Sequence, residues 1–336
     1  MDAISDILDS LKELTKAKGT IVQFNDPSYT PIPISPKNFH KIRESAGKKT
    51  AFIDGGNAEI LKSPSFSLQL LRVCSVIFQD NKKVSSRIKE CFVLTKAKDI
   101  EGKIFYETSF FQEAREKINF DSFDGTIRQG NHRISISSIA GVIRRLLELD
   151  LAAETIINLE KGDAIVLDGD LKASITGEKE YLNILLAKAK EKGVIVSALS
   201  KTSDLFTEAG SSLIPLIESL APKKEAWFYF PLVDIDSDIH KADIYVTKLN
   251  RNAKHIFKCE VAQGSDANIF SSLANNSKDS VFLGYPYGLI EADRLARVTN
   301  REKEYYQTIL LHKLKGSIDS FLNISSAHSI LDSISF

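Results

Sequence analysis

The segment DAIVLDGDL, residues 163–171, decides the fold class because it is a short apolar run that ends at an Asp-Gly pair. A run of this length with a turn former at its end is the pattern of a strand buried in the centre of a sheet. A helical segment precedes it at residues 135–162, a second follows at residues 178–193, and a second buried strand follows at residues 194–202. This alternation favours an α/β fold.

Residues 135–162 predict one long helix. A serine stands at its start as an N-cap, and Gly162 ends it. Its apolar side chains recur at helical spacing, at Ile139, Val142, Ile143, Leu146, Leu149, Ala153, Ile156 and Ile157.

Three consecutive strands are predicted before this helix, because residues 50–56, 67–79 and 89–97 are rich in β-branched or aromatic residues and are bounded by turn formers. Residues 101–133 are polar and mixed, and they predict a helix with an irregular excursion.

The later third of the chain predicts an antiparallel extension of the sheet and then a final helix. Three segments of alternating character form the extension, at residues 227–234, 242–250 and 255–262. The final helix follows residues 280–295 and carries residues 301–314. The predicted fold class is thus an α/β mixed sheet flanked by helices, with an antiparallel β extension.

The amino-terminal region predicts a helix and a proline-rich arm. The helix has an apolar stripe that we expect to be buried against its own domain, at Ile4, Ile7, Leu8, Leu11 and Leu14. Residues 25–39 hold four of the nine prolines and predict an extended segment. We divide the chain into an arm at residues 1–48, a main domain at 49–315 and a tail at 316–336.

Composition excludes several classes of protein. The 336 residues carry 44 basic and 44 acidic side chains, and 43% are hydrophobic, which argues against a disordered chain, a collagen or a polyelectrolyte that coats nucleic acid. The three cysteines form no CxxC pair, which argues against a thiolate zinc site and a disulfide framework. We find no export signal and no membrane span, and we expect a cytoplasmic protein without a membrane partner.

Two predicted strands end in the same way, at Asp54-Gly55 and at Asp168-Gly169. A carboxylate at the end of a central strand is held rigidly, and the glycine beside it allows a phosphate, a metal ion or a backbone to approach closely. The alternative for each aspartate is a cap on the following turn. The presence of both favours metal ligands.

A site for a hard cation such as Mg²⁺ or Mn²⁺ needs three or four carboxylates from different elements. The long helix offers Glu148, Asp150 and Glu154, and both of its faces are apolar, so periodicity does not choose among the three. The start of the last helix offers Glu291 and Asp293. This layout of acids matches the two-metal site of ribonuclease H-like nucleases.

A different enzyme class is a phosphatase, because a strand followed by Asp168-Gly169-Asp170 matches the haloacid dehalogenase pattern of a nucleophile and a general acid. Lys172 stands where that pattern requires threonine, which argues against this class.

Five segments together resemble successive motifs of the NurA nuclease domain family. They are AFIDGGNAEIL at 51–61, RRLLELDLAAE at 144–154, IVLDGDL at 165–171, KEKGVIVSALSKTSDL at 190–205 and GYPYGLIEADRLARVTNRE at 284–302, the last being the most specific. The resemblance extends from about residue 49 to about residue 311. It implies a ribonuclease H-like fold and a manganese-dependent DNA nuclease. It also implies a homodimer that works with a HerA-type hexameric ATPase in DNA end processing or phage defence.

The resemblance implies a role for five residues. Asp54, Glu148 and Asp168 would be metal ligands, and Tyr285 would lie beside the scissile phosphate. Asp293 stands where the family usually has histidine, and it would complete a four-carboxylate site but could not act as an imidazole proton donor. A degenerate domain that serves as an adaptor for the ATPase is therefore a third hypothesis.

Basic residues are the candidates for DNA binding. Lys201 and Thr202 follow a buried strand and would meet the DNA backbone, the alternative being an exposed loop. Five arginines would line a groove for phosphates or form a solvated helix face; they are Arg144, Arg145, Arg294, Arg297 and Arg301.

Overall fold

A mixed sheet forms the centre of the molecule, and the computed structural model describes it and its surroundings over residues 3–14, 18–43, 45–128 and 130–314. The described strands are β1 (Tyr29–Pro31), β2 (Phe39–Lys41), β3 (Lys49–Ser63), β4 (Phe66–Gln79), β5 (Lys82–Ile100), β6 (Lys103–Phe111), β7 (Ile118–Asp121), β8 (Ala164–Asp168), β9 (Ile195–Ser200), β10 (Trp227–Tyr229), β11 (Val233–Ile235), β12 (Ala242–Lys248) and β13 (Phe257–Ala262). The helices are α1 (Ala3–Leu14), α2 (Ile139–Thr155), α3 (Glu178–Lys192), α4 (Leu213–Leu220), α5 (Ile269–Asn275), α6 (Tyr287–Ala296) and α7 (Asn300–Leu314).

The strand order is β2-β10-β12-β13-β9-β8-β3-β4-β5-β6-β7. Within it, β3, β8 and β9 are parallel, while β3 to β7 form an antiparallel meander and β13, β12, β10 and β2 extend the other edge in antiparallel pairs. This confirms the predicted class, including the ribonuclease H-like core of β5-β4-β3-β8-β9 and the antiparallel extension.

The two faces of the sheet are covered by different helices, because side chains alternate along a strand. Ile53 and Leu167 pack with Leu149 of α2 and Leu185 of α3. On the opposite face, Phe52 packs with α5 and α6. A side chain buried in these layers stabilises the fold by roughly 1.5–3 kcal/mol.

The prediction of a helix within residues 101–133 is wrong, because these residues form β6 and β7. The reason is β5, which is 19 residues long and turns at Glu101-Gly102 so that β6 pairs along its second half. Lys103 and Phe111, at the two ends of β6, are exposed, while Tyr106, Glu107 and Thr108 in its middle are buried.

The helix boundaries also differ from the prediction. Helix α2 ends at Thr155 and continues as a 3₁₀ turn over Ile156–Asn158, and Ser138 makes no side-chain cap hydrogen bond. The predicted last helix is two helices, α6 and α7, separated at residues 297–299. The predicted strand at 227–234 is divided between β10 and β11, with Pro231 between them.

The apolar stripe of α1 is not buried as expected. Ile4 is 63% exposed, Ile7 56%, Leu8 50% and Leu11 51%, and the side chain of Leu14 lies outside the described residues. The predicted tail at 316–336 also lies outside them. No helix among the described residues is long and apolar enough to cross a membrane.

Candidate active site

Asp54 and Asp168 lie side by side at the centre of the sheet. The parallel register pairs Ile53 of β3 with Leu167 of β8, so the next residue on each strand is the aspartate. Neighbouring strands are about 4.8 Å apart. Because side chains alternate, both carboxylates point to the face that α6 covers.

The carboxyl group of Asp54 is buried among like charges. Its side chain accepts a hydrogen bond of 2.7 Å from the Gly55 N–H, and the residue is 7% exposed. Burial raises the pKa of Asp54 to about 7, and the negative charges of Asp168 and Glu148 add to that rise, while Lys201 opposes it. The three acids are therefore close enough to repel one another.

Glu148 reaches the site from the opposite face of the sheet, through the gap that Gly55 leaves. A Cβ atom at Gly55 would overlap Glu148 Oε1. Burial raises the pKa of Glu148, the guanidinium groups of Arg145 and Arg144 oppose the rise, and the Asp168 charge adds to it.

The other two acids of α2 are paired elsewhere. Asp150 binds Arg115, and Glu154 binds Lys89 at 2.6 Å and Arg87 at 2.7 Å. Of the three candidates on this helix, Glu148 is the one beside the two strand aspartates.

Lys201 and Tyr285 close the site on the α6 side. Lys201 Nζ lies 2.8 Å from Asp168 Oδ2 and 6.0 Å from the centroid of the Tyr285 ring. The buried Tyr285 hydroxyl has no hydrogen-bond partner in the part of the chain that the structure describes. Burial raises the pKa of Tyr285, and the charges of Asp168, Asp54 and Asp293 raise it further.

Asp293 lies at the outer margin of the site. Its side chain is 45% exposed, and its Oδ2 lies 2.8 Å from Arg297 Nη2. The negative charge of Asp293 contributes to raising the pKa of both Tyr285 and Lys201. The neighbouring acid Glu291 is instead paired with Lys83 and Arg294.

The donor atoms at this site fit a hard cation. Within the described ranges, no group of three or more His, Cys, Asp or Glu side chains is arranged to hold a metal ion. The acids that meet here nevertheless offer only carboxylate oxygens, which Mg²⁺ and Mn²⁺ prefer. A bound cation would reduce the repulsion between these acids. Water or phosphate bound to that cation would give the Tyr285 hydroxyl a hydrogen-bond partner.

The predicted DNA-binding residues differ in accessibility. Lys201 and Thr202 are exposed beside the site, and the Arg297 side chain is 69% exposed. The Arg145 side chain is only 14% exposed, and it binds Glu178 at 2.7 Å and the carbonyl oxygen of Asp170 at 2.6 Å. Of the other three arginines, Arg144 is partly buried against Glu148, Arg294 is exposed, and Arg301 is exposed.

A second polar network, which the sequence did not reveal, lies behind the loop that follows β8. Glu260 Oε2 accepts a hydrogen bond of 2.6 Å from the Leu171 N–H and lies 3.1 Å from His240 Nε2. His240 Nδ1 is 2.7 Å from the Tyr29 hydroxyl, and Lys258 Nζ lies 3.1 Å from Glu260 Oε1. One feature of the sequence could have indicated this network, namely the two charged residues Lys258 and Glu260 within an otherwise apolar strand.

Lys258 also connects this network to the strand ends. Its Nζ lies 2.6 Å from Asp170 Oδ1, which also accepts a hydrogen bond of 2.6 Å from the Ser200 hydroxyl. Asp170 and Ser200 are near neighbours in sequence of Asp168 and Lys201. The network therefore holds the segments on which two of the site residues lie.

Comparison with known proteins agrees with this geometry. The family model described as the NurA domain matches residues 48–298, which is more than half of the chain. The chain belongs to the NurA family. The resemblance inferred from its motifs is thereby confirmed.

Among the solved structures that align with this chain, the first of the following three supports the same fold. The NurA nuclease from Sulfolobus solfataricus aligns with a TM-score of 0.54 at 14% identity, over 94% of this chain and 96% of that one. The Ciona intestinalis endonuclease V aligns with a TM-score of 0.38 at 12% identity, over 88% and 96% of the two chains. The catalytic domain of human endonuclease V aligns with a TM-score of 0.40 at 10% identity, over 92% and 98%. A sequence comparison with curated proteins finds no significant match.

Proposed function

We propose that this NurA family member is a deoxyribonuclease that hydrolyses phosphodiester bonds with the help of Mn²⁺ or Mg²⁺. The observation that carries the proposal is the buried Asp54 carboxyl group, which adjoins Asp168 and Glu148 and has a pKa raised to about 7. A buried cluster of acids costs stability unless a cation neutralises it. The Sulfolobus solfataricus relative is a nuclease, which supports the same activity.

In this proposal Asp54, Glu148, Asp168 and Asp293 hold the cation. The cation would neutralise the phosphate and make bound water a stronger nucleophile. Lys201 would exchange its ion pair with Asp168 for the phosphate, and the Tyr285 hydroxyl would donate a hydrogen bond to the same group. The two strands and α6 hold these groups in place before substrate arrives.

The remaining predicted groups take supporting roles in the proposal. Thr202 and Arg297, both accessible beside the site, would contact the DNA backbone. Arg145 would orient Glu148 from its buried position and is less suited to meet DNA. We further propose that the chain acts in the cytoplasm as a homodimer with a HerA-type hexameric ATPase, in DNA end processing or phage defence.

The test is cleavage of linear DNA by the purified full chain in Mn²⁺, in Mg²⁺ and in EDTA. We expect Asp54→Asn and Asp168→Asn each to lower the rate about 10³-fold, which corresponds to roughly 4 kcal/mol of transition-state stabilisation. Asp238→Asn is the matched control, because that side chain is 88% exposed. Cleavage in EDTA, or cleavage that survives both variants, would contradict the proposal.

The adaptor hypothesis is supported by Asp293, which forms an ion pair with Arg297 where the family usually has histidine. It predicts no cleavage under any of these conditions, alone or with the ATPase, together with a stable complex with the ATPase in size-exclusion chromatography. Stimulated cleavage within that complex would instead support the nuclease.

The phosphatase hypothesis is disfavoured by the position of Asp170. Lys258 and Ser200 both bind its carboxylate, so it is not free to act as a general acid. Turnover of p-nitrophenyl phosphate without cleavage of DNA would revive this hypothesis.

A further inference from the structure

A second concave site lies at the opposite ends of the parallel strands. It is a cleft of about 840 Å³ formed by the starts of β8 and β9, the end of α3 and the segment between β13 and α5. Its apolar lining includes Ala164, Val194, Val196 and Ile269. Ala164 and Asp168 are the two ends of β8, about 13 Å apart. The cleft is therefore separate from the candidate active site.

The margin of this cleft is basic. Four lysines line it, and Asp266 is the single acidic residue among the lining residues; the lysines are Lys48, Lys161, Lys190 and Lys241. Asp266 already accepts hydrogen bonds from the backbone and side chain of Asn268. The chain as a whole has no net charge, so this excess of positive charge is local.

The four ammonium groups have no acidic partner among the described residues. None of them lies within 4.0 Å of a carboxylate there, and all four residues are exposed at the margin. Lys48 Nζ donates to the carbonyl oxygen of Lys161 at 2.9 Å, and Lys241 Nζ donates to Asn183 Oδ1 at 3.4 Å. Four positive charges at the margin of one cleft, without a carboxylate partner among the described residues, create a local positive potential that favours an anionic ligand.

The shape and lining narrow the class of anion. A volume of this size suits a small molecule, and an apolar floor with a few polar groups is typical of such sites. No aromatic side chain lines the cleft. Single-stranded nucleic acid is usually bound by stacking its bases on aromatic rings, so a DNA strand fits less well. Several flexible lysines suit a chain of phosphates.

We propose that this cleft binds a nucleoside triphosphate, with the phosphates at the four lysines and the nucleoside on the apolar floor. Ser265 and Ser272 lie in the lining and offer hydrogen bonds to the sugar and base. The site does not depend on the nuclease activity. Binding there would give the protein a nucleotide-bound state whose site is remote from the carboxylates of the candidate active site.

The test is isothermal titration calorimetry of the full chain in metal-free buffer, which keeps metal-bound nucleotide away from Asp54 and Asp168. The probes are ATP, inorganic tripolyphosphate and a single-stranded oligonucleotide. We expect ATP to bind, and the double variant Lys161→Gln/Lys190→Gln to weaken its binding at least tenfold. The matched control is Lys188→Gln/Lys223→Gln, which removes the same charge from exposed lysines outside the cleft.

The outcomes separate the proposal from its alternatives. Loss of ATP binding in the first double variant but not in the control supports it. Equal ATP binding by both variants overturns it, as does an oligonucleotide that loses affinity in the first variant while ATP does not bind. Tripolyphosphate that binds as tightly as ATP overturns the part of the proposal that concerns the nucleoside.

A measurement on the unmodified chain avoids any effect of the variants on folding. Lysine acetylation followed by mass spectrometry reports the accessibility of each ammonium group. ATP should protect Lys161 and Lys190 and leave Lys188 unprotected. Equal modification with and without ATP overturns the proposal.

Discussion

Asp54 and Glu260 are both buried acids on strands of the same sheet, yet their pKa values move in opposite directions. Burial raises the pKa of each. At Glu260, the hydrogen bond from His240 and the positive charge of Lys258 outweigh burial and lower the pKa to about 2. At Asp54, two further acids raise it to about 7. The protein neutralises one buried acid itself and leaves the other among like charges, as the proposed cation site requires.

This contrast separates structural acids from candidate catalytic ones. A buried charge whose partners lie within the chain stabilises one arrangement of that chain. A buried charge surrounded by like charges destabilises the chain until something from outside binds. The comparison yields four predictions, from the largest expected change in the free energy of unfolding to the smallest.

Glu260→Gln should lower the free energy of unfolding by about 3 kcal/mol at pH 7, because it leaves His240 and Lys258 without their buried counter-charge. The pKa of Glu260 is lowered, so its contribution is present above pH 4.5, its ordinary value, and is lost as the pH falls towards 2. Urea unfolding should therefore show the difference from the unmodified chain shrinking below pH 4.5. Exposed Glu218→Gln is the control, and an equal loss there would contradict the contrast.

Asp54→Asn should raise the free energy of unfolding by about 2 kcal/mol at pH 8 without metal, although it removes the proposed activity. A carboxyl whose folded pKa is raised costs stability above its ordinary pKa of 3.8, and the full cost is present above about pH 7. The gain should therefore shrink between pH 8 and pH 5. Destabilisation at pH 8 would show that Asp54 is a structural acid like Glu260.

Mn²⁺ should stabilise the unmodified chain. At ten times the dissociation constant the gain is about 1.4 kcal/mol, which raises Tm by roughly 2 °C. Thermal unfolding of Asp54→Asn and Asp168→Asn should show no such rise, whereas Asp238→Asn should keep it. A rise that persists in both site variants would place the cation elsewhere.

Gly55→Ala should lower the free energy of unfolding by about 1 kcal/mol, because the new Cβ atom displaces the Glu148 carboxylate. DNA cleavage should fall with it. Gly141→Ala in the same helix as Glu148 adds a Cβ atom that meets nothing within 4 Å, and it should stabilise the chain by about 0.5 kcal/mol. Full activity in Gly55→Ala would remove Glu148 from the proposed site.

The sequence predicted the central part of the fold because strand and helix periods are clear there. The repeated Asp-Gly pattern placed Asp54 and Asp168 together, although only β8 ends at its aspartate; β3 continues past Asp54 to Ser63, and what ends beside Asp54 is its pairing with β8. The identity of the helix acid could not be predicted, because α2 is covered on both faces and only the approach to Gly55 distinguishes Glu148. The ligand roles themselves stay predictions.

The errors have two sources, which are an overlooked local hairpin and contacts between segments distant in sequence. Residues 103–111 are rich in aromatic and β-branched residues and follow the Glu101-Gly102 turn, which is a local strand signal that the interpretation of 101–133 as one polar stretch overlooked. The α1 stripe has the amphipathic period of a buried helix, but nothing in that period specifies a partner surface. The role of Glu260 was not predicted because it depends on contacts with His240 and Leu171, which are remote in sequence.

Two successive residues of β3 beside the acidic site, Gly55 and Gly56, carry no side chain. Gly55 admits Glu148 of α2 from one side, and at Gly56, on the next residue, a Cβ atom would overlap the Ala296 carbonyl oxygen of α6 on the other. The two helical layers thus meet across bare backbone at these two positions. A side chain at either glycine would therefore push directly on the helical layer on its own side, so these two positions set how closely α2 and α6 approach the sheet.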